Sequence, residues 1–172
     1  MSLRTIMIFP EFENMAIIDN IRKQYDPLAE LVRPHITLVF PFESPISNAE
    51  LTQILNVRLE RVKPFEIKLS GISKHEDTFG NHLFLNVMQG AEKISYIHQM
   101  LYENEFKEFD TGLKYAPHMT IGKLPTAESL NNAFNNIKSI DDTFSTMVKK
   151  ISVEMIGDNE ESIIIMEKEL VR

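Results

Sequence analysis

The sequence predicts an α+β fold of two pseudo-symmetric lobes, each an antiparallel sheet with helices on its outside. Three observations predict it. Strand-like and helix-like segments alternate, the order strand, helix, strand, helix, strand occurs twice, and one element of each copy opens on the same short motif. The 172 residues, 43% hydrophobic and 25% charged, have ordinary globular composition, and a chain of this length buries about 70% of its unfolded surface. No Gly/Ser-rich or Pro-rich linker interrupts it. A single bilobal domain over 1–172 is therefore expected, its repeat covering about 3–73 and 82–156, with a closing strand at 162–170.

The elements follow in order. Leu3 to Phe9 reads as a strand stopped by Pro10. Asn14 to Tyr25 places Met15, Ile18, Ile21 and Tyr25 at helical spacing, with Asn14 as the cap, and Asp26-Pro27 ends the helix before one further turn over Leu28 to Val32. His35 to Phe40 is a β-branched and aromatic strand closed by Pro41. Ser47 and Glu50 form a capping box that opens a helix to about Val62. Pro64 to Ser73 and His82 to Met88 alternate about the turn residues Asp77 to Asn81, as a hairpin does. After Gly90 a helix is expected from Ala91 to about Glu108, with Ile94, Ile97, His98, Leu101 and Tyr102 on its inward stripe. A strand at His118 to Gly122 and a helix at Ala127 to Ile137 lead to a closing hairpin, Thr143 to Ile156 with Ser162 to Leu170, around Gly157-Asp158-Asn159.

Composition excludes several function classes. Without cysteine there is no disulfide framework, thiolate nucleophile or Cys-ligated metal site, which fits a reducing compartment. The first apolar run is too short for a signal peptide, and no stretch approaches the ~20 apolar residues of a membrane span, so a cytoplasmic protein with no membrane partner is expected. A net charge of −7 argues against wrapping extended nucleic acid, whose affinity is built from many Lys/Arg contacts to phosphate. No Gly-rich Rossmann or P-loop motif is present, so ATP-driven ligation is not indicated.

The repeated motif carries the chemistry. Pro34-His35-Ile36-Thr37-Leu38 and Pro117-His118-Met119-Thr120-Ile121 lie 83 residues apart, one in each copy. Side chains alternate faces in a strand, so each motif presents one imidazole and one hydroxyl on the same side. If pseudo-symmetry brings the strands together, two imidazoles and two hydroxyl donors converge. One imidazole can take a proton from an attacking water while the other gives one to the departing oxygen, and the hydroxyls can hold the phosphoryl oxygens. The scheme requires no metal. Around the motifs, 31–42 holds Arg33 and no acid, and 111–127 holds Lys114 and Lys123 and no acid. Such segments draw in a phosphate, although buried strands lack acids for structural reasons as well.

These paired motifs, their spacing and the repeated element order resemble the 2H phosphoesterase superfamily, in particular its bacterial 2′-5′ RNA ligase and cyclic phosphodiesterase branch. The resemblance covers essentially the whole chain. It implies a bilobal fold with the active cleft between the lobes, His35 and His118 as acid and base, and Thr37 and Thr120 as phosphate-binding groups. It further implies opening of a 2′,3′-cyclic phosphate to a 2′-phosphomonoester without metal or other cofactor, with reversible 2′-5′ joining by the same machinery. The partner is then a small cyclic nucleotide or an RNA terminal phosphate, and the acidic balance favours the smaller one.

Arg33, Lys114, Tyr115, Lys123 and Phe40 are further candidate substrate contacts. Tyr115 and Phe40 can stack on a base or simply pack. His75 and His82, near Glu76 and Asp77, can suggest a metal pair, but with no third ligand at a defined spacing they read as polar residues of a hairpin tip. His98, on an apolar stripe, reads as a satisfied core histidine. The rival function is a noncatalytic module that holds a phosphate or nucleotide in the same cleft.

Overall fold

A computed structural model describes residues 2–172. Its strands are β1 (Leu3–Ile8), β2 (Ile36–Glu43), β3 (Phe65–Asp77), β4 (Gly80–Gln89), β5 (His118–Leu124), β6 (Phe144–Val148), β7 (Lys150–Ile156) and β8 (Ser162–Glu169). Its helices are α1 (Met15–Tyr25), α2 (Asn48–Arg58), α3 (Ala91–Tyr102) and α4 (Ala127–Ile137). All strand pairs are antiparallel, in two four-stranded sheets of order β2-β1-β7-β8 and β5-β4-β3-β6. The α+β class and the two-lobed arrangement are thus as expected. Among the described residues, no helix is long and apolar enough to cross a membrane.

Neither sheet is built from one copy of the repeat. The strand that ends the first copy, β3, leaves to lie beside β4 in the second sheet, and β7 returns to lie beside β1 in the first. The run from Thr143 to Ile156, expected as one strand, is therefore two: β6 pairs with β3, the chain crosses at Lys149, and β7 pairs with β1 and β8. The helices are exchanged too, α1 packing on β5 and α3 on β2. One buried apolar cluster consequently runs through both sheets, joining Ile6, Ile8, Ile36, Leu38 and Val153 to Leu69, Leu83, Leu85, Met119 and Ile121. The alternating partners of these residues, the motif side chains included, face the other way.

Several boundaries differ from the sequence reading. Pro41 does not end β2, because β2 is an edge strand: between Arg4↔Phe42 and Ile6↔Val39 it carries an extra residue, and this irregularity absorbs the proline's missing N–H. The helix from Ala91 stops at Tyr102. Asn104 Nδ2 donates to the Met100 carbonyl, and the chain folds back so that Phe106, fully buried, meets Phe42 edge-on at 5.0 Å before a 3-10 turn at Lys107–Phe109. The capping box at Ser47 and Glu50 is formed as read, but α2 ends at Arg58, short of Val62. Asn14 precedes α1 without capping it, and its amide donates instead to the Thr143 carbonyl.

Gly90 joins β4 to α3 with φ of 88°. A Cβ there would lie 2.6 Å from the Glu66 carbonyl and 2.9 Å from Ile67 Cγ2, so both backbone conformation and space require glycine. Gly90→Ala is expected to lower stability by about 1–3 kcal/mol, the usual cost of a strained left-handed residue, with α3 and its hold on β2 weakened. Equilibrium urea unfolding checks this, and an unchanged midpoint would contradict it.

Candidate active site

The strands that carry the two motifs are the edge strands of their sheets, and they lie against each other. On each, the register against the neighbouring strand slips just after the motif threonine. Met7↔Thr37 is followed by Ile6↔Val39, and Phe84↔Thr120 by Leu83↔Gly122, so Leu38 and Ile121 are equivalent extra residues. Such bulges re-aim side chains and sharpen local twist. Here they end the stretch on which histidine and threonine share a face.

Each imidazole is held in the same way. His35 Nδ1 lies 2.9 Å from the Arg33 carbonyl, and His118 Nδ1 lies 2.8 Å from the Ala116 carbonyl. In both motifs the proline sits between histidine and carbonyl, and the residue before a proline is driven to extended backbone. A carbonyl only accepts, so Nδ1 carries the hydrogen and the neutral ring presents an unprotonated Nε2. Both rings are half-buried. Burial pushes the pKa of each below the ordinary histidine value, the carbonyl bond opposing it, and the Arg22 guanidinium lowers that of His35 further. Thr37 and Thr120 are half-buried on the same faces as their histidines.

Two sets of residues fix this geometry; the first, centred on Arg22, is absent from the sequence reading, and the second gives residues named there a different role. Arg22, 2% exposed, reaches from α1 into the segment that leads to His35: its guanidinium donates to Asp26 Oδ2 at 2.9 Å, to the Val32 carbonyl at 2.8 Å and to the Leu28 carbonyl at 3.4 Å. The i, i+4 spacing of Arg22 and Asp26 beside an apolar stripe was a readable signal for this buried ion pair. The second set closes the free edge of β2. Tyr115 Oη donates to the Thr37 carbonyl at 2.7 Å, His98 Nδ1 to the Leu38 carbonyl at 2.7 Å, and the Phe40 N–H donates to Tyr102 Oη at 3.1 Å. His98 stacks on Tyr115 with centroids 3.6 Å apart. His98 is thus satisfied, as read, and what satisfies it is the opposite motif strand.

Phe40 is 43% exposed and meets Tyr115 edge-on at 6.5 Å. Tyr115 has its hydroxyl engaged by Thr37 and one ring face covered by His98, and burial raises its pKa. Arg33 is exposed, with its guanidinium 4.5 Å from the centre of the Phe9 ring, which in turn meets His35. Lys114 is exposed before β5. Lys123, exposed on β5, pairs across the strands with His82. His75 Nε2 contacts Asp77 Oδ2 at 3.0 Å, and among the described residues no three metal-ligating side chains come together.

The model of the 2′-5′ RNA ligase superfamily matches residues 9–159. A protein of Geobacillus thermodenitrificans, named as a phosphoesterase by inference, is 33% identical over 128 residues, 72% of this chain and 70% of its own. One from Bacillus licheniformis, named in the same way, is 22% identical over 90% of both chains. Among solved structures, E. coli LigT complexed with 3′-AMP superposes with a TM-score of 0.64 at 14% identity over 99% of both chains. A crystal structure of a phosphoesterase does so with a TM-score of 0.62 at 15% identity over the full length of both. The chain belongs to the 2′-5′ RNA ligase superfamily of two-histidine phosphoesterases.

Proposed function

We propose that this phosphoesterase opens 2′,3′-cyclic phosphates of nucleotides or RNA ends to 2′-phosphomonoesters, with His35 and His118 as the catalytic pair and no metal in the reaction. The observation that carries the reading is the paired geometry: two imidazoles on adjoining edge strands, each locked by a main-chain carbonyl so that Nε2 is free, each with a threonine on its face. LigT, of the same fold, is known in complexes with 3′-AMP and with phosphate, which supports a nucleotide or phosphate ligand.

The reaction then runs with one proton moved on each side of phosphorus. A neutral imidazole takes a proton from water as the water oxygen bonds to phosphorus. The bond from phosphorus to the 3′-oxygen breaks, and the protonated imidazole gives its proton to that oxygen. Thr37 and Thr120 donate to the non-bridging oxygens as charge gathers on them. The carbonyl bonds keep both rings in one tautomer and orientation throughout. With a 5′-hydroxyl in place of water, the same proton traffic forms a 2′-5′ linkage.

Two outcomes are expected. His35→Ala and His118→Ala, each folded with a near-normal melting temperature, should lose roughly 10²-fold or more in kcat/KM on 2′,3′-cyclic nucleotides, measured by release of the 2′-phosphate. A folded His35→Ala variant with the unaltered rate would overturn the reading, and tight nucleotide binding without turnover in the natural protein would favour the noncatalytic module. The kcat/KM profile should be bell-shaped. Activity in the free enzyme needs one ring charged and one neutral, and burial lowers both pKa values, so the alkaline limb should fall below the ordinary histidine value of about 6.5. The kcat profile should be displaced upward, because a bound phosphate anion favours the charged ring. A kcat/KM limb above 6.5, or no displacement, would count against it.

A further inference from the structure

The ground around the motif strands is closed on one side and open on the other. In the first sheet, the face of His35 and Thr37 continues onto β1 as Met7, 1% exposed, and just past the end of β1 as Phe9, 9% exposed, whose ring meets His35, and onto β7 as Ser152 and Glu154, 1% and 5% exposed. Val32 and Ile164 pack on Met7 and Phe9, and the Ser162 N–H donates to the Leu31 carbonyl, so the segment held by Arg22 covers this floor. In the second sheet, the face of His118 and Thr120 continues onto β4 as Asn86 and Phe84, and onto β3 as Ser73 and His75. None of these four is buried. A phosphate held between the motif strands therefore leaves room for the rest of its molecule over the second sheet.

The open floor is polar at one defined point. Asn86 stands directly opposite His118 in the register of β4 and β5, a position where side chains are about 5 Å apart at Cβ. Ser73 Oγ donates to Asn86 Oδ1 at 2.9 Å. With its oxygen engaged, the amide offers N–H donors to the groove. Phe84 offers no stacking face: β4 lies between β5 and β3, and the ring is stacked on His118 at 3.8 Å and on His75 at 4.9 Å. The position equivalent to Asn86 in the first copy, beside His35, is Phe9, already under Val32. Only one motif histidine thus has an amide donor at its side, and it is the one on the open floor.

We propose that Asn86, oriented by Ser73, is the recognition group of a nucleoside subsite on the second sheet. The ligand class is a nucleotide whose phosphate lies between His35 and His118 and whose base turns a carbonyl or ring-nitrogen acceptor to the amide. The inference rests on the phosphodiesterase reading above and deepens it. Asn86 is a specificity residue that takes no part in proton transfer.

Isothermal titration of the full chain with inorganic phosphate and with cytidine 2′-monophosphate tests it. Asn86→Ala should weaken the nucleotide about 5- to 10-fold, the worth of one hydrogen bond to a neutral partner, and leave phosphate affinity unchanged. Ser73→Ala should do the same to a lesser degree while leaving the fold, read by circular dichroism, intact. On a 2′,3′-cyclic nucleotide the Asn86→Ala loss should appear in KM with kcat largely kept, as for an interaction made equally in ground and transition states. If phosphate binds and the nucleotide binds no more weakly to Asn86→Ala than to the natural protein, the subsite is wrong and the catalytic reading stands. If the natural protein binds neither probe, both fall.

Discussion

The site depends on a requirement of any sheet edge: main-chain groups with no neighbouring strand must find other partners. The outer edge of β2 is such an edge, and its partners are side chains from the other half of the molecule. Tyr115 and His98 serve the carbonyls of Thr37 and Leu38, and Tyr102 serves the N–H of Phe40. Tyr115 stands three residues before His118, so one hydrogen bond ties the two motifs together. The exchange of β3 and β7 between sheets, and of α1 and α3 between motif strands, makes this arrangement a property of the whole core.

Pseudo-symmetry makes the two histidines alike and their surroundings different. Both use the carbonyl two residues upstream and both precede a bulge. Around them the equivalences diverge. Arg22 on α1 and His98 on α3 both turn from an apolar stripe to main-chain carbonyls, but Arg22 closes a segment over its own sheet whereas His98 reaches across to the other. A repeat with identical halves would present a substrate with two equal orientations. The floor beside His35 is covered and the one beside His118 is open, so the two halves of this site are unequal.

Much of this was legible in the sequence because it rests on local patterns. The two-fold order of elements, the two Pro-His-x-Thr motifs and the capping box at Ser47 each state their own conformation through neighbouring residues. What was not legible depends on partners far along the chain. Thr143 to Ile156 holds no Gly, Pro, Asn or Asp, so its division between sheets follows from where β3 and β1 need a neighbour. The end of α3 at Tyr102 is set by Phe106 seeking Phe42. Asn86 and Ser73 are ordinary polar residues of a hairpin until the register places them beside His118. Tyr115, read as a candidate for stacking, has its hydroxyl and one ring face committed to the opposite strand.

Two main-chain carbonyls hold a matched pair of imidazoles with both Nε2 atoms free. Nitrogen-15 NMR of the histidine side chains across pH tests it most directly, with His35→Gln and His118→Gln variants to assign the signals. Both rings are expected to be neutral Nδ1–H tautomers at pH 7, and both to titrate below about 6.5. Either ring found as the Nε2–H tautomer, or as an average of the two, would contradict it.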